Sequence, residues 1–218
     1  SAPKSTALPV PAKTGGKPLL QALAERCSTR SFTEAAVSQQ DLSNLLWAAW
    51  GINRDDGRHT APTAKNKQEV AVYVALPNGV WLYNPANNTL EQHLAKDIRA
   101  EISAEAPLAL LYAAPADDPA AGFHIGSLYQ NAALYCASAG LGNVVKATGA
   151  AEADAALTRA RRNTCAGEGR MCGLMYRVAA ASCHRASSTT GTTTGRSRRR
   201  AVRHNRAGAN GIARPAAS

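Results

Sequence analysis

Apolar residues recur along the first two thirds of the chain with two different periods, and the places where the period changes predict its elements. In "KPLLQALAERC", Leu19, Leu20 and Leu23 make one stripe and Pro18 suits a first helical turn, so a helix should run here and deliver Arg26 to its C-terminal end. A second helix is expected from Ser38. There "SQQD" has the form of a capping box with a short acid, and Leu42, Leu45, Leu46, Ala49 and Trp50 follow at three-and-four spacing. Gly51 should close it in a left-handed conformation. After a polar loop, "VAVYVALPNGVWLYNP" reads as two strands joined at Asn78-Gly79, a dipeptide that tolerates positive φ in a tight hairpin. A helix around Ala95 to Ile102 and a buried strand "LALLYAA" from Leu108 come next. The segment "GFHIGSLYQNAALYCASAGLG" is a long helix with Ile125, Leu128, Ala132, Cys136 and Ala139 on one face, ending at Gly140 or Gly142. Its small residues admit either a flat ligand or another helix at close range. Val144 and Val145 begin a further strand.

Both ends of the chain lack such a period. Residues 1–17 are Ser, Ala, Pro, Gly and Lys with almost nothing to bury, and read as a flexible tether. This start is compatible with a cytoplasmic protein and with one exported to the periplasm after loss of a signal peptide. Beyond Leu157 the sequence turns to runs of Thr, Arg, Ser and Ala, so residues 158–218 read as a basic, low-complexity tail without a core of its own. The break is abrupt and falls inside an apparent helix, as expected of a GC-rich gene read out of frame. One unbroken frame across the codons for Leu157 and Thr158 would exclude that reading. The alternative is a tail selected to bind an anionic partner, either nucleic acid or a membrane surface.

Charge sharpens the division. The whole chain carries a net +10, but residues 1–157 hold 12 Lys+Arg against 14 Asp+Glu, a net of −2, while residues 158–218 hold 13 against 1. Residues 18–157, the expected folded domain, therefore lack the electrostatic footprint of a polyanion-binding protein. No run approaches the roughly eighteen consecutive apolar residues of a spanning helix. The five cysteines, Cys27, Cys136, Cys165, Cys172 and Cys183, have neither zinc-knuckle nor redox spacing; Cys27 and Cys136 read as unpaired structural residues, and no metal site is expected.

Two polar stretches are not explained by a core. In "RCSTRSF", Arg26, Ser28 and Arg30 alternate in an extended segment and so emerge on one face. Two guanidinium forks and a hydroxyl match phosphate oxygens, although a solvated helix end would use the same residues. In "TAPTAKNKQ", Asn66 and Gln68 alternate just before a strand, with Pro62 and Thr63 setting the turn. Carboxamides both donate and accept, which suits a heterocycle edge carrying imide N–H and C=O groups, and equally suits an ordinary polar loop.

In order and spacing, these pieces resemble the nitroreductase superfamily of FMN flavoproteins. That family has an apolar helix, Arg-x-Ser-x-Arg/Lys-x-Phe, a second helix, Pro-Ser-x-x-Asn-x-Gln, a strand, and a central helix ending in a Gly-Leu-Gly-type turn. Over roughly residues 17–149 this chain offers "RCSTRSF", "LLWAAWGIN", "PTAKNKQ" and "FHIGSLYQNAALYCASAGLG". The resemblance implies an α+β, three-layer fold with a central, mostly antiparallel sheet flanked by helices. It implies that Arg26, Ser28 and Arg30 hold the FMN phosphate and ribityl end, with Cys27 in the same binding segment. Asn66 would meet the isoalloxazine edge, with Thr63 nearby, and the backbone from Lys146 to Gly149 would approach flavin N5, although the family's Pro-x-Glu-Gly pattern is absent there. It further implies an intertwined homodimer with FMN at its interface, and hydride transfer from NAD(P)H to a nitroaromatic, quinone-like or similar small acceptor. No side chain is a catalytic acid or nucleophile in that scheme, because the cofactor carries the chemistry. Past Leu157 the family's next strand and basic phosphate contact are not recognisable. An inactive flavin-binding remnant, and a non-enzymatic protein using its basic tail, are therefore the alternatives.

Overall fold

The computed structural model describes residues 4–102 and 106–146 with their side chains, and the backbone of 171–179. Seven strands make one sheet: β1 (Ser5–Ala7), β2 (Ala71–Leu76), β3 (Gly79–Asn84), β4 (Thr89–Leu94), β5 (Leu108–Pro115), β6 (Gly142–Lys146) and β7 (Met171–Ala179). Their order across the sheet is β1-β4-β3-β2-β5-β7-β6, and each pairing is antiparallel. Helices α1 (Leu19–Glu25), α2 (Gln39–Trp50) and α3 (Ala121–Ala139) complete the expected α+β architecture.

The core follows the two-residue period of the central strands. On β5, Leu108, Leu110, Tyr112 and Ala114 join Val72, Val74, Trp81 and Tyr83 beneath α2 and α3, which contribute Leu42, Leu45, Leu46, Leu128 and Cys136. The alternate residues Ala109, Leu111 and Ala113 turn to the opposite face, where Ile98 and Ile102 cover them. Helix α2 begins as its sequence predicts, with Ser38 Oγ accepting the Asp41 N–H at 3.0 Å.

Several expectations are corrected. Residues 4–17 do not hang free. Strand β1 pairs with β4 and covers that edge, Leu8 enters the core, and Asn88, Ser43, Gln40 and Asn44 bind the backbone of Pro9, Val10 and Ala12. The stretch from Ala95 to Ile102 makes only a single turn, Ile102 N–H to Ile98 O at 3.1 Å, and there the Arg99 guanidinium binds Asp97 and the carbonyls of Ala106 and Pro107. Gly51 is extended, with φ −69°, and not left-handed; glycine is needed there because a Cβ would collide with the Trp47 ring. Pro77 and Asn78 form the hairpin turn, and Gly79, paired with Leu76, takes the positive φ of 132°. That placement suits Pro at the first central position and Gly just after the turn. The leucine stripe of α1 faces outward: Leu19, Leu20 and Leu23 are exposed, and Ala22 alone is buried against α3. The strand thought missing after Leu157 exists as β7, an interior strand between β5 and β6.

Candidate functional site

The first predicted stretch leaves α1 at Arg26, whose N–H still donates to Ala22 O at 2.9 Å, and continues extended. Thr29 N–H donates to Asn143 O of β6 at 2.7 Å, fixing the segment beside that strand. Arg26 is half-buried, while Cys27, Ser28 and Arg30 are exposed. The adjoining residue in sequence, Glu25, binds Lys17 at 2.6 Å and Gln21 at 2.8 Å. The side chains of Arg26, Ser28 and Arg30 make no hydrogen bond or ion pair among the described residues, so two guanidiniums and a hydroxyl stand available to an anion. Cys27 and Cys136 form no disulfide.

The second stretch is held in a costly conformation. Lys65, Asn66 and Gln68 have φ of 55°, 53° and 55°. Asn tolerates the left-handed region, but Lys and Gln gain nothing there, at about 1 to 2 kcal/mol per residue. Local bonds define the turn: Asn66 N–H to Thr63 O at 3.0 Å, Gln68 N–H to Thr63 Oγ1 at 3.1 Å, and Gln68 Nε2 to Asn66 Oδ1 at 2.9 Å. Asn66 is exposed and Thr63 half-buried.

Three residues that the sequence reading passed over anchor this loop. Ala64 N–H donates to His124 Nε2 at 2.8 Å, Lys67 Nζ donates to Asp118 Oδ2 at 3.3 Å, and His124 Nδ1 lies 3.8 Å from the same carboxylate oxygen. A polar residue in the i, i+4 series with Leu128 and Ala132, on the buried face of α3, was the available signal. Asp118 accepts the Ala120 N–H at 2.9 Å. That bond, then the Lys67 ammonium, holds its carboxyl below the usual carboxylate range. Its stabilising contribution should be complete above about pH 4 and disappear as the pH falls through the lowered folded value. Asp118→Asn should therefore flatten the acid limb of a thermal-stability profile, and an unchanged limb would contradict this.

Other anchors hold the approach to the loop. His59 stacks on Trp50, with centroids 3.8 Å apart and an interplanar angle of 4°, and its Nδ1 lies 2.7 Å from Trp50 O. Burial lowers its pKa. Asn131 of α3 donates to Thr60 O at 3.4 Å.

The two predicted stretches are anchored at separate points of the fold. The Asn66 loop is tied to the first turn of α3 at His124, whereas the arginine segment is tied to Asn143, just past the helix end at Gly140. From His124 to Ala139 the helix rises about 23 Å. Lys146 is half-buried at the last position of β6; residues 147–149, also expected near the ligand, lie outside the described residues. Two cavities, of about 1060 and 500 Å³, are lined by other residues. Among the described residues, no cluster of His, Cys, Asp or Glu could hold a metal ion, and no helix is long and apolar enough to cross a membrane.

On this antiparallel α+β frame the side chains of Arg26 and Arg30 are without a partner among the described residues, and the Asn66 loop keeps its positive φ. The model of the Nitroreductase family matches residues 23–160. A candidate nitroreductase of Methanocaldococcus jannaschii is 26% identical over 147 residues, 56% of this chain and 74% of that protein. Among solved structures, a candidate nitroreductase from Ralstonia eutropha JMP134 is 33% identical with a TM-score of 0.71, covering 83% of this chain and 90% of that one. Another, from Desulfovibrio desulfuricans in complex with FMN, shares the fold at 18% identity, with a TM-score of 0.52 over 84% of this chain and 94% of its own. The chain belongs to the nitroreductase family.

Proposed function

We propose that this protein is an FMN-dependent oxidoreductase that takes reducing equivalents from NAD(P)H and passes them to a nitroaromatic, quinone-like or similar small acceptor. The observation that carries the reading is the positive φ at Lys65, Asn66 and Gln68, backbone strain of the kind that persists where a ligand must be met. Family membership and the FMN held by the Desulfovibrio structure support it. The residues present fit the cofactor. Arg26 and Arg30 supply forked cations for the phosphate, Ser28 a neutral donor, and Cys27 the backbone between them. Asn66, which is exposed, would offer its carboxamide to the ring edge, with Thr63 and Lys146 as further members of the site. When bound, the flavin would supply the redox chemistry that links NAD(P)H to the acceptor. The chain's own work is to bind and orient, so no catalytic acid or nucleophile is required.

A second copy of the chain completes this picture. The Asn66 loop is anchored at the first turn of α3 and the arginine segment at Asn143 of β6, which follows the other end of that helix, and Leu19, Leu20, Leu23 and Phe123 lie exposed. In a homodimer, one subunit's arginine segment and its partner's loop would flank a single ligand while the apolar side chains leave water. The test is the visible spectrum of the purified protein, with heat release and identification of the pigment, beside its sedimentation. Stoichiometric FMN on a dimer is expected. A colourless protein that takes up no added FMN would end the proposal.

A further inference from the structure

His124 is 2% exposed and projects from the first turn of α3 into the packed face that also holds Leu128. A backbone N–H can only donate, so the 2.8 Å contact from Ala64 N requires the lone pair on His124 Nε2 and places the imidazole proton on Nδ1. Nδ1 has no hydrogen-bond partner among the described residues, but it lies 3.8 Å from Asp118 Oδ2, a negative neighbour that favours the proton on that side. The same carboxylate receives the Lys67 ammonium at 3.3 Å. His124 thus grips the loop at Ala64 and Asp118 grips it at Lys67, one on each side of the left-handed pair Lys65 and Asn66.

We infer that His124, oriented by Asp118, is a positioning residue that acts through Ala64 to hold the 64–67 turn in the conformation presenting Asn66. Its relevance to flavin rests on the reading above, in which Asn66 meets the ring edge. The grip itself is a property of the polypeptide and is measurable without cofactor. Local strain at Lys65 and Asn66 gives the turn a reason to relax when either hold is removed. An apolar residue of similar bulk at position 124 would fill the space without offering a lone pair. A glutamine carries an amide oxygen about as far from the helix as Nε2, and can accept the same N–H.

The experiment compares the full-length protein with His124→Leu, His124→Gln and Asp118→Asn. It measures amide hydrogen exchange across residues 60–68, melting temperature, and FMN affinity by flavin fluorescence. In His124→Leu, exchange at Ala64 should rise about tenfold or more while the amides of β2 and β5 stay protected, and the FMN Kd should rise about tenfold, the equivalent of one lost hydrogen bond. His124→Gln should restore both. A purely structural histidine would lower the melting temperature in both variants without separating them at Ala64, and equal Ala64 exchange in the Leu and Gln variants would overturn the inference. Should His124→Leu not fold, Asp118→Asn decides: faster exchange at Ala64 and Lys67 supports the grip, and unchanged exchange refutes it. If the wild type takes up no FMN, the flavin reading fails while the exchange data still judge the positioning role.

Discussion

Replacing Arg26 and Arg30 together by alanine should leave the protein folded and strip it of flavin. Neither guanidinium has a partner among the described residues, and Arg30 is exposed, so the stability change should stay within about 1 kcal/mol for the pair. The loss in affinity should be far larger. Hydrogen bonds to charged groups contribute about 1.5 to 3 kcal/mol each, so removing two is worth roughly 3 to 6 kcal/mol, or on the order of 10² to 10⁴ in the FMN Kd. Lysine at both positions should recover only part of this, because an ammonium keeps the charge but loses the planar fork. Flavin fluorescence titration beside a melting curve separates the two effects. A double-alanine protein that binds FMN like the wild type would remove the arginine segment from the site.

The contrast between those arginines and His124 shows what the sequence makes legible. The expectation that Arg26, Ser28 and Arg30 share a face is a local one, read from their alternate spacing. The same holds for α2, α3, β2, β3 and β5, whose apolar periods run long enough to specify an element. The grip on Ala64 joins residues sixty positions apart, and only the packing of α3 against the loop brings them together. Strands β1 and β4 were missed for a related reason. "STA" and "TLEQHL" carry little apolar periodicity, and they are strands because β3 offers a free edge that β4 and then β1 occupy. In α1 the misreading ran the other way. Its leucine stripe is real, but the surface it would cover is not in this chain's core, and α3 receives Ala22 instead.

Ending the chain before Met171 should destroy the fold, whereas ending it at His184 should not. Strand β7 pairs along the whole of β5, from Leu108 opposite Val178 to Pro115 opposite Met171, and on its other side carries β6 from Gly142 to Lys146. Deleting it leaves β6 with no strand neighbour and strips one flank of β5, a strand buried at every position before Pro115. Unmet backbone groups on a buried strand cost about 1 to 3 kcal/mol each, so losing a handful is comparable to the roughly 5 to 15 kcal/mol that typically holds a domain together. The shorter chain should therefore aggregate or melt without cooperativity. The chain ending at His184 keeps the unit Ser1–His184 entire and should melt cooperatively near the full-length temperature. "MCGLMYRVA" has one charge in nine residues, the composition of an interior strand, yet it lies within an Arg-rich, low-complexity stretch that conceals it. Similarity to the Ralstonia structure covers 83% of the chain, a larger share than residues 1–157 make up, which also argues that the fold draws on sequence past the break. If both truncated chains instead melt like the full-length protein, β7 contributes nothing to the sheet, and the out-of-frame origin proposed for residues 158–218 gains its strongest support.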